Sequence, residues 1–290
     1  MVEVSVVLPS YIRNNHKASL ASLVKQNVSS NDFEVLVVKN GSNKDNFFRE
    51  GNISTFEVGW SGLNRARNFA VQESKAGIVA FLDDDAVADT SWVKSIIRSH
   101  EKHNEPVIGG KVLPKWPVTG KPFWVKGILL DYLSLLDYSR KVTVVHPLDW
   151  VAGTNMSIKK IIFERVGYFD EEIGRNGSSL LSSDEEELFR RIRGLDMNIL
   201  YDPAIKVWHI IPESRLRANY FIQRAYWQGA SDYMMDRKDK SAREIEEIIR
   251  GKSQTIGLPN SIGPEDVSTQ LISLCEASCS IGYLQQALNI

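Results

Sequence analysis

The chain has 290 residues, with 35 Lys and Arg against 36 Asp and Glu and a formal net charge of -1. That length suits one large α/β domain or one domain with an appendage. The near balance of charge gives no electrostatic case for nucleic-acid binding and excludes an acidic tail.

Met1 leads straight into "VEVSVVLPSY". This opening has no basic segment and reads as a buried strand closed by Pro9, so no secretory leader is expected. Helical spacing follows at Leu20, Leu23 and Val24, over residues 18–27. A second buried strand over 33–42 ends in a turn at Asn40-Gly41. Residues 62–74 carry a helical apolar period, 77–85 a third strand, and Ser91 to His103 a helix capped by Thr90 or Ser91. Strand–helix–strand units of this length imply a parallel sheet with right-handed crossovers.

From about residue 106 the pattern loosens. Strands are predicted over 106–114 and 143–150, with an insertion beginning at 121. Helices are predicted over 157–169 and 183–194, and a strand or strand pair over 198–210. From Leu216 the chain reads as mostly helical, with a loop over 251–263 and amphipathic spacing from Pro264 to Leu288. The most apolar stretch, 123–136, is cut by Lys126 and Asp131, and no run reaches the ~18 apolar residues of a membrane span. It reads as a half-buried helix, with a helix lying on a membrane surface as the alternative. Cys275 and Cys279 are too few for a disulfide framework and too isolated for a zinc site. Both read as small packed residues, which points to a reducing compartment.

Ligands of an open parallel sheet bind beyond the carboxyl ends of its strands. All three early strand ends carry polar groups: Pro9-Ser10-Tyr11, Asn40-Gly41-Ser42 and Asp83-Asp84-Asp85. Three adjacent carboxylates repel one another unless a divalent cation neutralises them. Mg²⁺ or Mn²⁺ suits such oxygen ligands, and Mg²⁺ takes its remaining ligands from water and substrate phosphates. A metal–diphosphate site is therefore expected, with a solvated acidic turn as the alternative. No Gly-x-Gly-x-x-Gly follows the first strand and no P-loop is present, which disfavours a dinucleotide cofactor or an ATPase.

Five segments together resemble the family 2 glycosyltransferases with the GT-A fold. They are "SVVLPSY" at 5–11, "GLNRARNFAVQESKAGIVAFLDDD" at 62–85, "DWVAGTNMSI" at 149–158, "VGYFDEEI" at 166–173 and "SSDEEELFRRIRGLDMNILYDPAIKVWH" at 182–209. The resemblance implies a Rossmann-like, mostly parallel central sheet flanked by helices over 1–215. A nucleotide-sugar-binding half would span 1–110 and an acceptor-binding half 111–215, with a mostly helical extension over 216–290. It implies transfer of a sugar, with inversion, from a nucleotide-diphospho-sugar, a UDP-sugar foremost, to a hydroxyl of a glycan or lipid-linked saccharide.

Carried over by position, Asp85, Asp83 and His209 would hold Mn²⁺ or Mg²⁺. Pro9, Ser10, Tyr11, Asn40, Asp83 and Asp84 would line the nucleotide and diphosphate site, with Arg67 facing base and ribose. Trp150 and Asn155 would shape the sugar pocket. Aligning Glu187-Leu188 and Arg191 with the family's Glu-Leu-x-x-Arg puts Glu185 in the place of the general base, with Asp184 as its competitor. A carboxylate in the first turn of a helix is held ionised and in place, though these acids could equally serve only the helix dipole. The second strand ends in Lys39-Asn40 where the family often carries an acidic turn.

The expected setting is cytoplasmic, with peripheral contact at the inner face of a membrane through 123–138 if the acceptor is lipid-linked. The C-terminal helices would pack on the domain or pair between chains. A sugar nucleotidyltransferase and a non-catalytic nucleotide- or glycan-binding protein of the same fold are the rival readings. "PSYIRNNHK" lacks the glycine-rich loop of the former.

Overall fold

The computed structural model describes residues 2–11, 16–147, 149–175, 179–255 and 267–288. Its strands are β1 Val4–Tyr11, β2 Phe33–Asn40, β3 Asn46–Glu50, β4 Ile53–Val58, β5 Ile78–Phe81, β6 Ala86–Ala88, β7 Val107–Lys115, β8 Thr143–Val144, β9 Met156–Lys159 and β10 Ile199–Ile210. Its α-helices are α1 Lys17–Val24, α2 Leu63–Glu73, α3 Trp92–Lys102, α4 Ile128–Asp131, α5 Ile161–Val166, α6 Asp184–Arg193, α7 Ala218–Asp239, α8 Ala242–Thr255 and α9 Val267–Leu288. The chain divides into two compact units.

The first unit comprises residues 1–115, 134–171 and 184–210. Its sheet runs β3-β4-β2-β1-β5-β9-β7-β10-β6, with β8 beside β10. Val4, Val6, Val7 and Leu8 are fully buried. Both faces of β1 are covered, which is why the strand reads as a continuous apolar run rather than an alternating one. The strands β4, β2, β1 and β5 are mutually parallel, as expected. Beyond β5 the sheet is mixed: β7 and β10 pair in parallel, and the other pairings are antiparallel. β9 enters antiparallel between β5 and β7, and β6 and β8 both pair antiparallel with β10.

Three segments depart from their local patterns. The helix expected over 157–169 is strand β9 followed by the short α5, because Met156 and Ile158 are buried on the sheet between two strand partners. The strand expected over 143–150 is only Thr143–Val144. The hairpin β3–β4 went unpredicted, since every residue of β3 is exposed and carries no burial pattern. The segment 198–210 forms a single strand, bulged between Asp202 and Lys206. Pro203 sits in that bulge, where its missing N–H costs no ladder bond.

The second unit comprises residues 116–133, 172–183 and 211–290. α7 and α9 pack backbone to backbone within it. A Cβ at Gly229 would lie 1.8 Å from the Cys279 carbonyl oxygen, and one at Gly282 1.9 Å from that of Tyr226. Cys275 is buried, Cys279 half-buried, and both are free thiols. Helix α8 continues to Thr255, past the start of the expected loop, and 256–263 lie outside the described residues. Of the apolar stretch 123–136 only Ile128–Asp131 is helical. Among the described residues no helix is long and apolar enough to cross a membrane.

Candidate active site

The expected strand ends converge at the top of the parallel half of the first unit. Pro9 and Ser10 are buried, while Tyr11 is 38% exposed. Ser10 Oγ donates to Asp84 Oδ2 at 2.8 Å, and Ser19 Oγ of α1 donates to the Asp84 carbonyl at 2.8 Å. Asn40 is buried and donates from Nδ2 to the Ser10 carbonyl at 3.0 Å. The Tyr11 ring lies on Gly41, whose Cβ would fall 2.5 Å from it and whose φ of +79° favours glycine. Asn40 therefore braces two strand ends together, and Tyr11 presents the open aromatic edge.

The three aspartates face different partners. The Asp83 backbone N–H donates to Thr154 Oγ1 at 3.2 Å, and its carboxylate lies 3.5 Å from Arg67 Nη2. Asp85 Oδ1 lies 3.2 Å from His209 Nε2. That pairing follows from the sheet: β6 runs antiparallel to β10 with His209 opposite Ala86, and the Ile210 N–H donates to the Asp85 carbonyl at 2.8 Å. Of the expected metal ligands Asp83, Asp85 and His209, Asp85 lies against His209 while the Asp83 carboxylate lies toward Arg67. Among the described residues no group of three or more His, Cys, Asp and Glu is gathered to hold a metal ion. One carboxylate and one imidazole nevertheless fit a cation whose other ligands come from water and a diphosphate.

Arg67 was expected to face base and ribose. It is instead 1% exposed, with its guanidinium against the edge-to-face pair of Phe81 and Phe169, 5.9 and 5.5 Å from their centroids. Its Nη1 reaches Asp184 Oδ2 at 2.5 Å and Glu185 Oε1 at 3.3 Å. Burial lowers the Arg67 pKa, but Asp184, Glu185 and Asp83 outweigh it and hold it above the usual arginine range. For Glu185 burial comes first and the Asp184 charge second, and Arg67 only partly opposes them. Its carboxyl is pushed up to about 7. Asp184 is 4% exposed at its side chain and Glu185 20%, so Glu185 presents the more accessible carboxylate.

The turn at Gly153–Asn155, a single turn of 3-10 helix, organises this cluster. Neither Gly153 nor Thr154 was singled out from the sequence, although both lie in the quoted Gly-x-Asn segment. A Cβ at Gly153 would lie 1.7 Å from Glu185 Oε1. Asn155, expected in the sugar pocket, is fully buried and its amide is occupied. Trp92 Nε1 donates to its Oδ1 at 2.7 Å, and its Nδ2 donates to the carbonyls of Lys111 and Ile205 at 2.9 and 3.0 Å. It therefore ties the β10 bulge to β7. Trp150 is half-buried against the core, and its carbonyl accepts from the Tyr138 hydroxyl. Asn64 and Asn68 of α2 donate to the carbonyls of Asp170 and Phe169, both at 2.8 Å. The asparagine that follows Arg67 is thus a clamp for the turn after α5.

The fold of this chain is that of the GT-A glycosyltransferases. Staphylococcus aureus TarS in complex with UDP-GlcNAc superposes with a TM-score of 0.55 at 14% identity, over 99% of this chain and 92% of that one. TarS in complex with UDP gives 0.53 at 13% identity, over 99% and 91%. "Glycosyl transferase family 2" matches residues 5–167, more than half of the chain, and the chain belongs to that family. Two curated relatives come from Haloferax volcanii. A glucosyl-dolichyl phosphate glucuronosyltransferase is 27% identical over 60% of this chain and 56% of its own length. Glycosyltransferase AglE is 29% identical over 40% and 41%. The chain thus spans about half the length of the curated relatives it matches.

Proposed function

We propose that the chain transfers a sugar, with inversion, from a nucleotide-diphospho-sugar to an acceptor hydroxyl. A UDP-sugar is the favoured donor, in keeping with the UDP and UDP-GlcNAc complexes of its structural neighbour. A lipid-linked saccharide is the favoured acceptor, in keeping with the relative named for a glucosyl-dolichyl phosphate. The observation that carries this reading is the buried Arg67, which draws the acidic strand end at Asp83 and the acidic helix start at Asp184-Glu185 around one guanidinium. A base for the acceptor hydroxyl and the acidic strand end proposed to seat the diphosphate then adjoin the two Nη atoms of one guanidinium.

In this reading Glu185 takes the acceptor proton and Asp184 holds Arg67 in place. A carboxyl near pH 7 suits that task, because a base works best when its pKa lies close to the operating pH. Asp85 and His209 would hold Mn²⁺ or Mg²⁺, which neutralises charge on the leaving diphosphate when bound. Ser10 fixes Asp84, and Tyr11 offers its exposed ring to the base of the nucleotide.

The test is a pH profile of sugar transfer for the wild type, Glu185→Gln and Asp184→Asn. The ionised form of Glu185 is the base, so wild-type turnover should rise with pH through about 7. Glu185→Gln should lose about 10²- to 10⁴-fold and the rising limb with it. Asp184→Asn should keep a rising limb. An unchanged limb in Glu185→Gln would pass the role to Asp184 or remove it from both.

A further inference from the structure

We propose that residues 116–133 of the second unit form a membrane-binding surface, with Val118 and Phe123 inserting at the headgroup boundary and Lys121 and Lys126 drawn to anionic lipid. This goes beyond the sugar-transfer reading and does not depend on it. The segment makes two successive tight turns. The Gly120 N–H donates to the Pro117 carbonyl at 2.9 Å, and the Val125 N–H to the Pro122 carbonyl at 3.1 Å. Val118 and Phe123 occupy the same position in the two turns, the first of the central pair. Such positions ordinarily go to polar residues, proline or glycine. Here Val118 is 107% exposed and Phe123 79%.

These tips stand on a fixed base. Val125 and Leu129 are fully buried and Leu133 is 1% exposed. Trp124 packs edge-on against Phe221 at 5.7 Å, and its carbonyl accepts from Ser268 Oγ at 3.0 Å. Lys121 Nζ donates to the Val125 carbonyl at 2.8 Å, which holds the lysine at the foot of the second turn. Exposed apolar side chains on an anchored support are therefore features of the folded state, not of a loose loop.

Charge and shape select the occupant. From Trp116 to Leu133 the sequence holds Lys121 and Lys126 and one acid, Asp131, which lies beyond both turns at the end of α4. Glu213 Oε1 accepts from Thr119 Oγ1 at 3.1 Å. Two apolar points on separate convex turns offer little flat area to a protein, whose stable interfaces bury roughly 800 Å² a side. A bilayer surface deforms around such points and supplies the opposite charge. The expected membrane contact through a helix at 123–138 is thereby replaced by two turns that begin before it.

The test is co-sedimentation of the full chain with phosphatidylcholine vesicles, with and without phosphatidylglycerol, at low and high salt. The wild type should bind only the anionic vesicles, and less in high salt. Lys121→Gln with Lys126→Gln should weaken binding roughly 25-fold, at about fivefold per lysine. Val118→Ser with Phe123→Ser should weaken it about tenfold, while Phe123→Leu retains it. Both changed side chains stand in solvent, so thermal midpoints should not move. Binding to no vesicle, or equal binding by the serine variant, would overturn the proposal. So would a self-association in solution that the serine variant abolishes, because the tips would then be covered by a second copy.

Discussion

A methyl group at position 153 would lie 1.7 Å from Glu185 Oε1 and 2.6 Å from Arg67 Nη2. Glycine there leaves the room in which the carboxylate and the guanidinium meet. Gly153→Ala should therefore push the Glu185 carboxylate aside and lower turnover about 10²-fold, since a displacement near 1 Å at a reacting group costs that much. Overpacking should also cost about 1–3 kcal/mol of stability. In a Glu185→Gln background the same change should add little to the activity loss. Full additivity of the two losses would show that Gly153 acts elsewhere. The raised pKa of Glu185 also has a stability consequence with a definite sign. Its folded-state value of about 7 lies above the ordinary 4.5, so the fold binds this proton more tightly than the unfolded chain does. The associated stability is full below about 4.5 and is lost as pH rises through about 7.

At the level of elements, Asn155 shows what the sequence could and could not reveal. The Gly-x-Asn spacing marked a functional segment, but the asparagine belongs to the joint between α3, β7 and the β10 bulge. Asn155→Ala would leave the Trp92 indole N–H and two carbonyls without their buried partner. It should cost on the order of 2–4 kcal/mol, measured by urea unfolding with binding of donor retained in the folded fraction. A variant of wild-type stability that fails to bind would restore Asn155 to the sugar pocket.

The early elements were legible because β1, β2 and β5 are buried on both faces and end in polar groups at one edge. The strand β9 was not, because its four residues take their state from two neighbours distant in the chain. The meeting of Asp85 and His209 was foreseeable through the family resemblance, not from residue types or local spacing. The inward turn of Arg67 was not, since its partners lie 117 and 118 positions further along.

Across the whole molecule the charges nearly cancel, yet they are not evenly spread. Asp83, Asp84, Asp85, Asp184 and Glu185 share the first unit's site with Arg67 and His209, and three of those acids are committed to Arg67. Asp85 is the acid paired with His209 instead. The second unit was legible only in part. Its helices announce themselves by period, but 116–133 and 172–183 carry no local sign that they belong with α7 and α9. The central claim is that the acidic strand end serves a metal and a nucleoside diphosphate. The measurement that reaches it most directly is calorimetric titration of a panel of nucleoside diphosphates, with and without Mn²⁺, on the wild type and Asp85→Ala. One nucleotide should bind tightly, only with the metal, and the substitution should abolish that binding. Binding of none, or binding indifferent to both Mn²⁺ and Asp85, would contradict the account.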